Sequence, residues 1–273
     1  MLDSRDIAIL RILDGASNRA GWIPTEKVLD KIAWSPMKIK PRIRGLEREH
    51  LLHWRTQFGE TSLRLTDKGR DALAVWDFKT HGLLTDIGNI IDVGKESVLV
   101  NATGPKGDFI IKFHRYDALV FDRIKRSLSY MSIALRLPMA NNVDVSRVKA
   151  RIEYDTLKAL DGKVTVPKVF GLNRHAIAME FIGDRFPAPL LKDVKIEKGT
   201  KKQVFEEYQK AIDAGYVHGD MSEYNVMCWD GKYYLIDWPQ SLPTSCDFAK
   251  TLEKRDREKL ESFFSRPKKG RNA

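Results

Sequence analysis

The stretch Val217–Asn225, which reads VHGDMSEYN, and the run Tyr234–Asp237, which reads YLID, carry most of the information in this chain. Asp220 stands five residues before Asn225, and Asp237 ends the second run. Transfer of a phosphoryl group from ATP requires a carboxylate near the attacking oxygen, together with an amide and a second carboxylate that hold a divalent metal. The two stretches therefore predict a site for ATP and Mg²⁺, with Mn²⁺ as the other suitable metal.

Each residue of this set has a predicted role. We expect Asp220 to orient the proton of the phosphoryl acceptor, a role worth roughly 10²–10⁴-fold in rate. We expect Asn225 and Asp237 to hold the metal through side-chain oxygens, with Asp237 on the ion that bridges the phosphates. The pair Asp230-Gly231 predicts a hairpin turn that brings Asn225 and Asp237 to the same end of a ribbon. Taken singly, either aspartate is equally typical of a turn cap, and His218 is more often bonded to backbone than a catalytic base.

Lys112 lies in the apolar run Ile110–Phe113, which predicts a strand, so its charge requires a partner. The functional interpretation places its ammonium on the α- and β-phosphates, steadied by a carboxylate from a helix. The alternative is a lysine on the solvent face of an edge strand, where it discourages aggregation. Glu153 is the best candidate partner because the helical period over residues 145–160 puts it at the margin of the apolar stripe. Asp155 competes for that role, and a solvent-exposed Glu153 is the other alternative.

A candidate phosphate-binding hairpin begins at Val93, where Gly94-Lys95-Glu96-Ser97-Val98 leads into a predicted strand. All five residues are candidate ATP contacts. Gly94 would admit the backbone close to the nucleotide because it lacks a Cβ atom, and Ser97 offers a hydroxyl. A single glycine in a hairpin is common, so this motif counts only beside the others. The chain has no G-x-x-x-x-G-K-[ST] run, which excludes a Walker A loop.

The bulk properties bound the protein class. The 273 residues suffice for two domains of about 100–200 residues each. The formal charge of +10 suggests a polyanionic partner such as nucleic acid or a ribosome, although a merely soluble basic protein is the alternative. Cys228 and Cys246 have no zinc-site or disulfide spacing, which fits a reducing compartment. No membrane-length apolar run and no secretory signal is found, so we expect a cytoplasmic protein with no membrane partner.

Residues 1–80 predict three short helices, a hairpin and a last helix, an order that resembles a winged helix-turn-helix. Pro41 weakens the prediction of the third helix, which is basic. In helix-turn-helix proteins this helix enters the major groove, so we predict nucleic-acid contacts through phosphates. The alternative is a solvated face on a domain that contacts protein. The four candidate nucleic-acid-binding residues are Lys38, Lys40, Arg42 and Arg44.

Motifs spread over nearly the whole chain resemble those of the RIO-type atypical protein kinases. They are Gly94–Ser97, Lys112–Arg115, Ser146-Arg147 ahead of Glu153, Val166–Lys168, Asn173–Glu180, His218–Asn225 and Ile236–Ser241. The region 1–80 is similar to the winged helix that marks the second RIO subfamily, in its archaeal form. Asp92 departs from the family pattern because it stands where a first loop glycine is usual.

This resemblance implies an α+β protein. Its expected parts are an N-terminal winged helix-turn-helix (1–81), a bilobal protein-kinase-like fold with an N-lobe (82–182) and a truncated C-lobe (183–265), and a basic tail (266–273). The family pattern implies binding of Mg²⁺-ATP, with backbone groups of Glu180 and Ile182 presented to adenine and Met179 at the back of the pocket. It also implies Ser/Thr autophosphorylation or ATPase cycling, the latter through an aspartyl phosphate on Asp237. The implied role is small-ribosomal-subunit maturation, with a pre-30S- or 40S-type particle, or its rRNA, as partner.

Two rival interpretations remain open at the level of sequence. The first is a DNA-binding winged-helix regulator whose kinase-like part only senses nucleotide. The second is a small-molecule phosphotransferase, because antibiotic and choline kinases share an H-G-D…N loop. The Gly94–Ser97 loop and the run Pro239–Ser241 argue against the second.

Overall fold

The computed structural model describes residues 2–15, 21–32, 35–116, 118–136 and 142–266. It divides into two compact units, Met1–Thr85 and Asp86–Ala273, which we call the head and the body. The division lies four residues after the predicted end of the first domain at residue 81. Of the predicted basic tail, only Arg266 lies inside the described ranges.

The described residues of the head form four helices and a small antiparallel sheet. The helices are α1 (Ser4–Gly15), α2 (Thr25–Ile32), α3 (Pro36–Arg48) and α4 (Asp67–Thr80), and the strands are β1 (Ile23–Pro24), β2 (Leu52–Gln57) and β3 (Glu60–Leu65). The strand order is β1-β3-β2, so the hairpin β2–β3 carries β1 on one side. This is the order of helices and hairpin that the sequence predicts for a winged helix-turn-helix.

Helix α3 is continuous in spite of its internal proline. Pro36 begins the helix, where its fixed φ is favourable and its missing N–H costs nothing. Pro41 removes one backbone hydrogen bond, but burial of one face offsets that loss. The buried residues on that face are Ile39, Ile43 and Leu46, at helical spacing.

The start of α4 is fixed by a cap and a glycine. The Thr66 hydroxyl accepts a hydrogen bond from the Gly69 N–H at 3.0 Å, as an N-cap residue does. A Cβ atom on Gly69 would lie 2.1 Å from the carbonyl oxygen of Leu51, so no other residue fits there. The pair therefore holds the start of the helix against Leu51, the residue directly before the first strand of the hairpin.

The body begins with a five-stranded antiparallel sheet. Its strands are β4 (Asp86–Val93), β5 (Ser97–Gly104), β6 (Gly107–His114), β7 (Val169–Asn173) and β8 (Ala176–Met179), in the order β4-β5-β6-β8-β7. Two helices lie between β6 and β7 in the chain, α5 (Ala118–Ala134) and α6 (Asn142–Leu160). Contacts of α6 with β6, β7 and β8 hold this helix on the sheet.

The second part of the body is mainly helical. It contains α7 (Thr200–Asp213), α8 (Ala249–Ser265), the hairpin β10 (Val226–Trp229) and β11 (Lys232–Leu235), and the short pair β9 (Tyr216–Val217) and β12 (Leu242–Pro243). One apolar core joins this part to the sheet and includes Ile177, Met179, Tyr208, Trp238 and Leu260. The mixed α+β architecture that the sequence predicts is therefore present. Within the described ranges, no helix combines the length and apolarity that crossing a membrane requires.

Candidate active site

Three charged side chains that are far apart in sequence meet in the body. The Lys112 Nζ atom on β6 lies 2.7 Å from Oε1 of Glu153 on α6 and 2.6 Å from Oδ1 of Asp237, which follows β11. Strand β6 lies between β5 and β8, so Lys112 is on a central strand. This position overturns the alternative of an edge-strand lysine. It also selects Glu153, since Asp155 instead pairs with Arg151 at the surface.

The three charges of this cluster stabilise one another against the cost of desolvation. Desolvation opposes the charged form of Lys112, but the two carboxylates outweigh it and raise the pKa of the ammonium. Desolvation likewise opposes ionised Glu153, whose side chain is 1% exposed, and the ammonium keeps its pKa well below the ordinary value. The pKa of Asp237 is also lowered, because Lys112 outweighs its burial. The cluster thus carries one positive and two negative charges at neutral pH.

Glu153 is held by two further groups. Its Oε1 accepts a hydrogen bond from the backbone N–H of Trp238 at 3.2 Å, and its Oε2 lies 2.7 Å from Nε2 of His114. Burial lowers the pKa of His114 to about 4, against the opposing effect of Glu153, so the imidazole is neutral at pH 7. These contacts leave Glu153 a fixed anchor for Lys112.

Asp237 differs from Glu153 because it is partly open. Its side chain is 45% exposed, and its Oδ2 atom has no hydrogen bond to any described residue. Its backbone lies in the left-handed region at φ 66°, which is uncommon for a residue other than glycine. Strained backbone of this kind concentrates at functional sites, where the surroundings enforce it. Asp237 therefore presents a free carboxylate oxygen to the space beside Lys112.

That space is a cavity of about 470 Å³, which is within the range of pockets that hold small ligands. Its remaining walls are mainly apolar and include Leu99, Ile110, Leu157 and Ala188. Eight of the predicted site residues line it: Ser97, Lys112, Glu153, Met179, Glu180, Ile182, Asn225 and Asp237. A mainly apolar chamber with a compact cluster of charged groups in its wall matches a ligand that joins a flat ring to an anionic chain.

The segment at residues 180–182 offers two backbone groups to this cavity. The Glu180 N–H donates to the carbonyl of Lys168 at 2.8 Å, and the Ile182 carbonyl accepts from the N–H of Ala188 at 2.9 Å. The Glu180 carbonyl and the Ile182 N–H make no hydrogen bond to the described part of the chain. One acceptor and one donor, two residues apart on the cavity wall, are thus available to a ring such as adenine.

The predicted phosphate-binding hairpin is only partly at the cavity. Ser97 and Asp92 line it, whereas Gly94, Lys95, Glu96 and Val98 do not. The Gly94 N–H donates to the carbonyl of Ser97 at 2.9 Å and closes the turn. A Cβ atom on Gly94 would lie 3.5 Å from that oxygen, so the turn itself does not require glycine.

Glu96 has a structural contact that the sequence analysis did not anticipate. Its Oε2 atom lies 2.6 Å from Nζ of Lys149 on α6, one turn before Glu153. Lys149 is 2% exposed and also donates to the carbonyl of Arg115 at 3.3 Å. In this structure the predicted ATP contact at Glu96 is replaced by an ion pair, because the buried ammonium needs a partner.

Hydrogen bonds to side chains fix the loop that carries Asp220. The side-chain amide of Asn225 donates to the Asp220 carbonyl at 2.9 Å, so the Asn225 side-chain oxygen points away from that carbonyl. His218 Nε2 lies 2.9 Å from the carbonyl of Ile236, which confirms the prediction of a backbone-bonded histidine. The Asp220 side chain is 41% exposed and lies outside the lining of the main cavity.

Asp256 on α8 is a functional residue that sequence reasoning missed. It is fully buried and accepts hydrogen bonds from the backbone N–H groups of Gly219 and Met221 at 2.8 and 3.1 Å. The Tyr208 hydroxyl donates to it at 2.9 Å. Burial raises its pKa, against the opposing effects of His218 and these donors. Asp256 therefore shapes the turn that presents Asp220. Its neighbours on α8 are mostly charged, so its position in the sequence gave no signal of this role.

Asn225 and Asp237 form a suitable donor set for Mg²⁺. Both residues line the cavity. Asn225 directly precedes β10 and Asp237 follows β11, and the Ile236 N–H donates to the Asn225 carbonyl at 3.0 Å, so the two residues lie at the same end of this hairpin. Mg²⁺ prefers oxygen ligands and takes few of them from protein when phosphates supply the rest. Over the described ranges, no group of three or more His, Cys, Asp or Glu residues could hold a metal without such help.

In the head, the four predicted nucleic-acid-binding residues divide into two groups. Lys38, Lys40 and Arg44 are exposed on α3. The Arg42 guanidinium instead lies 2.8 Å from Asp3 and 2.7 Å from Asp6, both near the start of α1. Arg42 is a correction to the prediction, because its charge is used to join α3 to α1.

Comparison with known proteins adds independent evidence. The model of the RIO domain family matches residues 97–272. The RIO-type serine/threonine-protein kinase Rio2 of Methanocaldococcus jannaschii is 30% identical over 253 residues, which is 90% of this chain and 91% of that protein. Human serine/threonine-protein kinase RIO1 is 29% identical over 206 residues, 72% of this chain. This chain covers only 36% of the length of the human protein.

Among solved structures, the chain resembles the Rio2 kinase of Chaetomium thermophilum in a complex with ADP, Mg²⁺ and phosphoaspartate. The TM-score is 0.77 at 22% identity, over 96% of this chain and 80% of the other. The match covers head and body, and at this identity it establishes the fold.

Proposed function

The chain belongs to the RIO family of serine/threonine-protein kinases, and from this premise we propose that it transfers the γ-phosphoryl group of Mg²⁺-ATP to protein hydroxyls or to water. The observation that carries the proposal is the meeting of Lys112, Glu153 and Asp237 in the wall of a mainly apolar cavity. A buried cation beside an open carboxylate provides opposite charges for a triphosphate and its metal.

In the proposed complex each end of the nucleotide has a partner. The free carbonyl of Glu180 and N–H of Ile182 bind the adenine edge, and Met179 closes the back of the pocket. Lys112 moves part of its hydrogen bonding from Asp237 to the α- and β-phosphates, while Glu153 keeps it in place. Asn225 and Asp237 hold Mg²⁺, which supplies positive charge against the phosphate oxygens when bound.

Asp220 acts at the other side of the transferred group. Its carboxylate accepts a hydrogen bond from the attacking hydroxyl and directs the oxygen lone pair at the γ-phosphorus. The loop contacts with Asn225 and Asp256 support this role because they fix the backbone that carries the carboxylate. We assign no proton transfer to His218, whose ring is bonded to backbone.

A second outcome of the same site is an ATPase cycle with an aspartyl phosphate on Asp237. The unbonded Oδ2 atom of this residue favours it, because that oxygen is available to attack the γ-phosphorus of ATP. The bond from the γ-phosphorus to the bridging oxygen would break and ADP would leave, and water would then hydrolyse the acyl phosphate to free phosphate. The solved relative is described as a phosphoaspartate complex. An acyl phosphate is labile to hydroxylamine, whereas phosphoserine and phosphothreonine are not, so hydroxylamine treatment of labelled protein separates the two outcomes.

The experiment that tests the proposal uses γ-labelled ATP and Mg²⁺, and follows both label on protein and free phosphate. We expect transfer or hydrolysis by the natural chain and a loss of roughly 10²–10⁴-fold in Asp220→Ala. Asp237→Ala should lose at least as much, since it removes a metal ligand. Turnover that is unchanged in both variants would reject the proposal.

We further propose that the protein acts on a small-ribosomal-subunit precursor in the cytoplasm, with the head on rRNA. The charge of +10 and the exposed Lys38, Lys40 and Arg44 support an RNA partner. Cys228 and Cys246 are free thiols, as in a reducing compartment. Adding purified 30S particles to the assay should change the rate or the labelled products. Preferential binding to a DNA duplex of defined sequence, without hydrolysis, would favour a DNA-binding regulator instead.

A further inference from the structure

Helix α8 supplies a cation to the proposed catalytic aspartate. The Lys259 Nζ atom lies 2.6 Å from Oδ1 of Asp220. We propose that Lys259 is a positioning residue for phosphoryl transfer, which holds one carboxylate oxygen of Asp220 so that the other faces the attacking hydroxyl. This inference rests on the proposed function.

The two oxygens of Asp220 are held unequally. Oδ1 has the short contact with the Lys259 ammonium, whereas Oδ2 has only the side-chain amide of Gln240 at 3.4 Å. Charge-assisted bonds of the first kind are strong, and contacts near 3.4 Å are at the limit of hydrogen bonding. A hydroxyl can therefore displace the amide from Oδ2 without disturbing Oδ1. The carboxylate plane is set by the lysine.

The helix that carries Lys259 is rigidly attached to the same loop. Asp256 accepts hydrogen bonds from the N–H groups of Gly219 and Met221, and the Arg255 side chain donates to the Gly219 carbonyl. Residues three and four apart on a helix share a face, so Asp256 and Lys259 both lie toward the loop. The fully buried Leu260 fixes this part of α8 in the core. The backbone that carries the Lys259 ammonium is therefore held at a fixed position relative to the Asp220 loop.

Simple structural stabilisation is a poor account of this contact. Both side chains are substantially exposed, Lys259 at 39% and Asp220 at 41%, and exposed ion pairs contribute little to folding. Loss of the lysine should therefore leave the fold intact while releasing Asp220 to rotate. Small displacements of a reacting group have large effects on rate, up to about 100-fold per ångström.

Lys254 on the same helix gives a matched control. Its side chain is 78% exposed, and its nearest carboxylate is Glu258 at 3.8 Å. Lys254→Met removes the same charge from α8 without touching Asp220. Lys259→Arg keeps a cation in reach of Oδ1, whereas Lys259→Met keeps only the apolar stem.

The test measures kcat and the KM for ATP of the full chain with Mg²⁺, for the natural protein and these three variants. Thermal unfolding confirms that each variant is folded. We expect Lys259→Met to lower kcat by roughly 10- to 100-fold with the KM for ATP within about two-fold. Lys259→Arg should recover at least half of that loss on a logarithmic scale, and Lys254→Met should match the natural protein.

Three results would overturn the inference while leaving the proposed function standing. They are a kcat for Lys259→Met equal to that of Lys254→Met, an equal loss in Lys259→Arg, or a rise in kcat on loss of the lysine. The last result would make the contact inhibitory. Absence of turnover in the natural protein is a different failure, since it rejects the proposed function and this inference with it.

Discussion

In the body, Lys112 and Glu153 are enclosed and only Asp237 of their cluster is partly open, whereas in the head the basic side chains of α3 are mostly open to solvent. Lys112 is 7% exposed, and its ammonium lies between two carboxylates. Lys38, Lys40 and Arg44 are exposed and share one helix. Arg42 is intermediate, since it is paired with the start of α1.

This difference separates two ways in which charge contributes to function. A buried charge is stable only with its partners in place, so each member of the Lys112 cluster depends on the others. An exposed charge contributes independently of its neighbours, and salt screens it. Substitutions in the body should therefore have large and coupled effects, whereas those in the head should have small and salt-dependent ones.

The largest effect is expected from Glu153→Ala. This change leaves Lys112 with one carboxylate and His114 with none, both in a buried setting. Breaking a buried ion pair by removing one partner costs about 3–5 kcal/mol in the free energy of unfolding. Urea unfolding of the variant measures this loss. Asp155→Ala is the control, because its carboxylate is at the surface, and a similar loss in both would contradict the account.

The next effect is a pH dependence from His114. Its pKa is about 4 in the folded chain against an ordinary value of 6.5, so between these values the unfolded state binds a proton that the folded state does not. The contribution of His114 to the free energy of unfolding is therefore complete above pH 6.5 and is lost as the pH falls from 6.5 toward 4. The expected loss is about 2 kcal/mol between pH 7 and pH 5. Urea unfolding at both pH values measures the difference.

His114→Gln should remove most of this dependence above pH 5. The lowered pKa values of Glu153 and Asp237 have the same sign, but their effect begins only below their ordinary values of 4.5 and 3.8. If the free energy of unfolding of the variant changes between pH 7 and pH 5 as much as that of the natural protein, the pH dependence belongs to other groups.

The smallest effect is expected in the head. Lys40→Gln should weaken RNA binding only a few-fold and lower the slope of log affinity against log salt concentration by about 0.7–0.9, the value for one phosphate contact. Arg42→Gln should leave the slope unchanged, since its guanidinium is paired with Asp3 and Asp6. Titrations at several salt concentrations measure both slopes. Equal slopes for the two variants would remove the distinction between open and paired residues on α3.

The sequence was most informative where a charge stood in an apolar run. Lys112 was singled out from such a run, and Glu153 was its first candidate partner because a buried ammonium needs a carboxylate. The ion pair of Lys112 with Asp237 was not predicted. Lys149 is equally buried, but its helix is rich in charge, so nothing in the pattern distinguished it. The same holds for Asp256 and Lys259, since α8 contains charged residues on every face.

Other features could not be read from sequence because they depend on the arrangement of distant elements. Which arginine of α3 turns toward α1 is decided by the packing of two helices. Asp256 binds backbone N–H groups of the Asp220 loop, and backbone groups carry no sequence signature. By contrast, the order of helices and hairpin in the head and the hairpin turn at Asp230-Gly231 followed from local periodicity and turn residues. The fold was thus more predictable than the contacts that hold the catalytic loop.

The most direct test of the central claim is a crystal structure with Mg²⁺ and a non-hydrolysable ATP analogue. The account predicts adenine on the Glu180 carbonyl and Ile182 N–H, phosphates on Lys112, and Mg²⁺ at about 2.0–2.1 Å from oxygens of Asn225 and Asp237. A nucleotide bound elsewhere on the body, or a metal without Asp237 among its ligands, would contradict it.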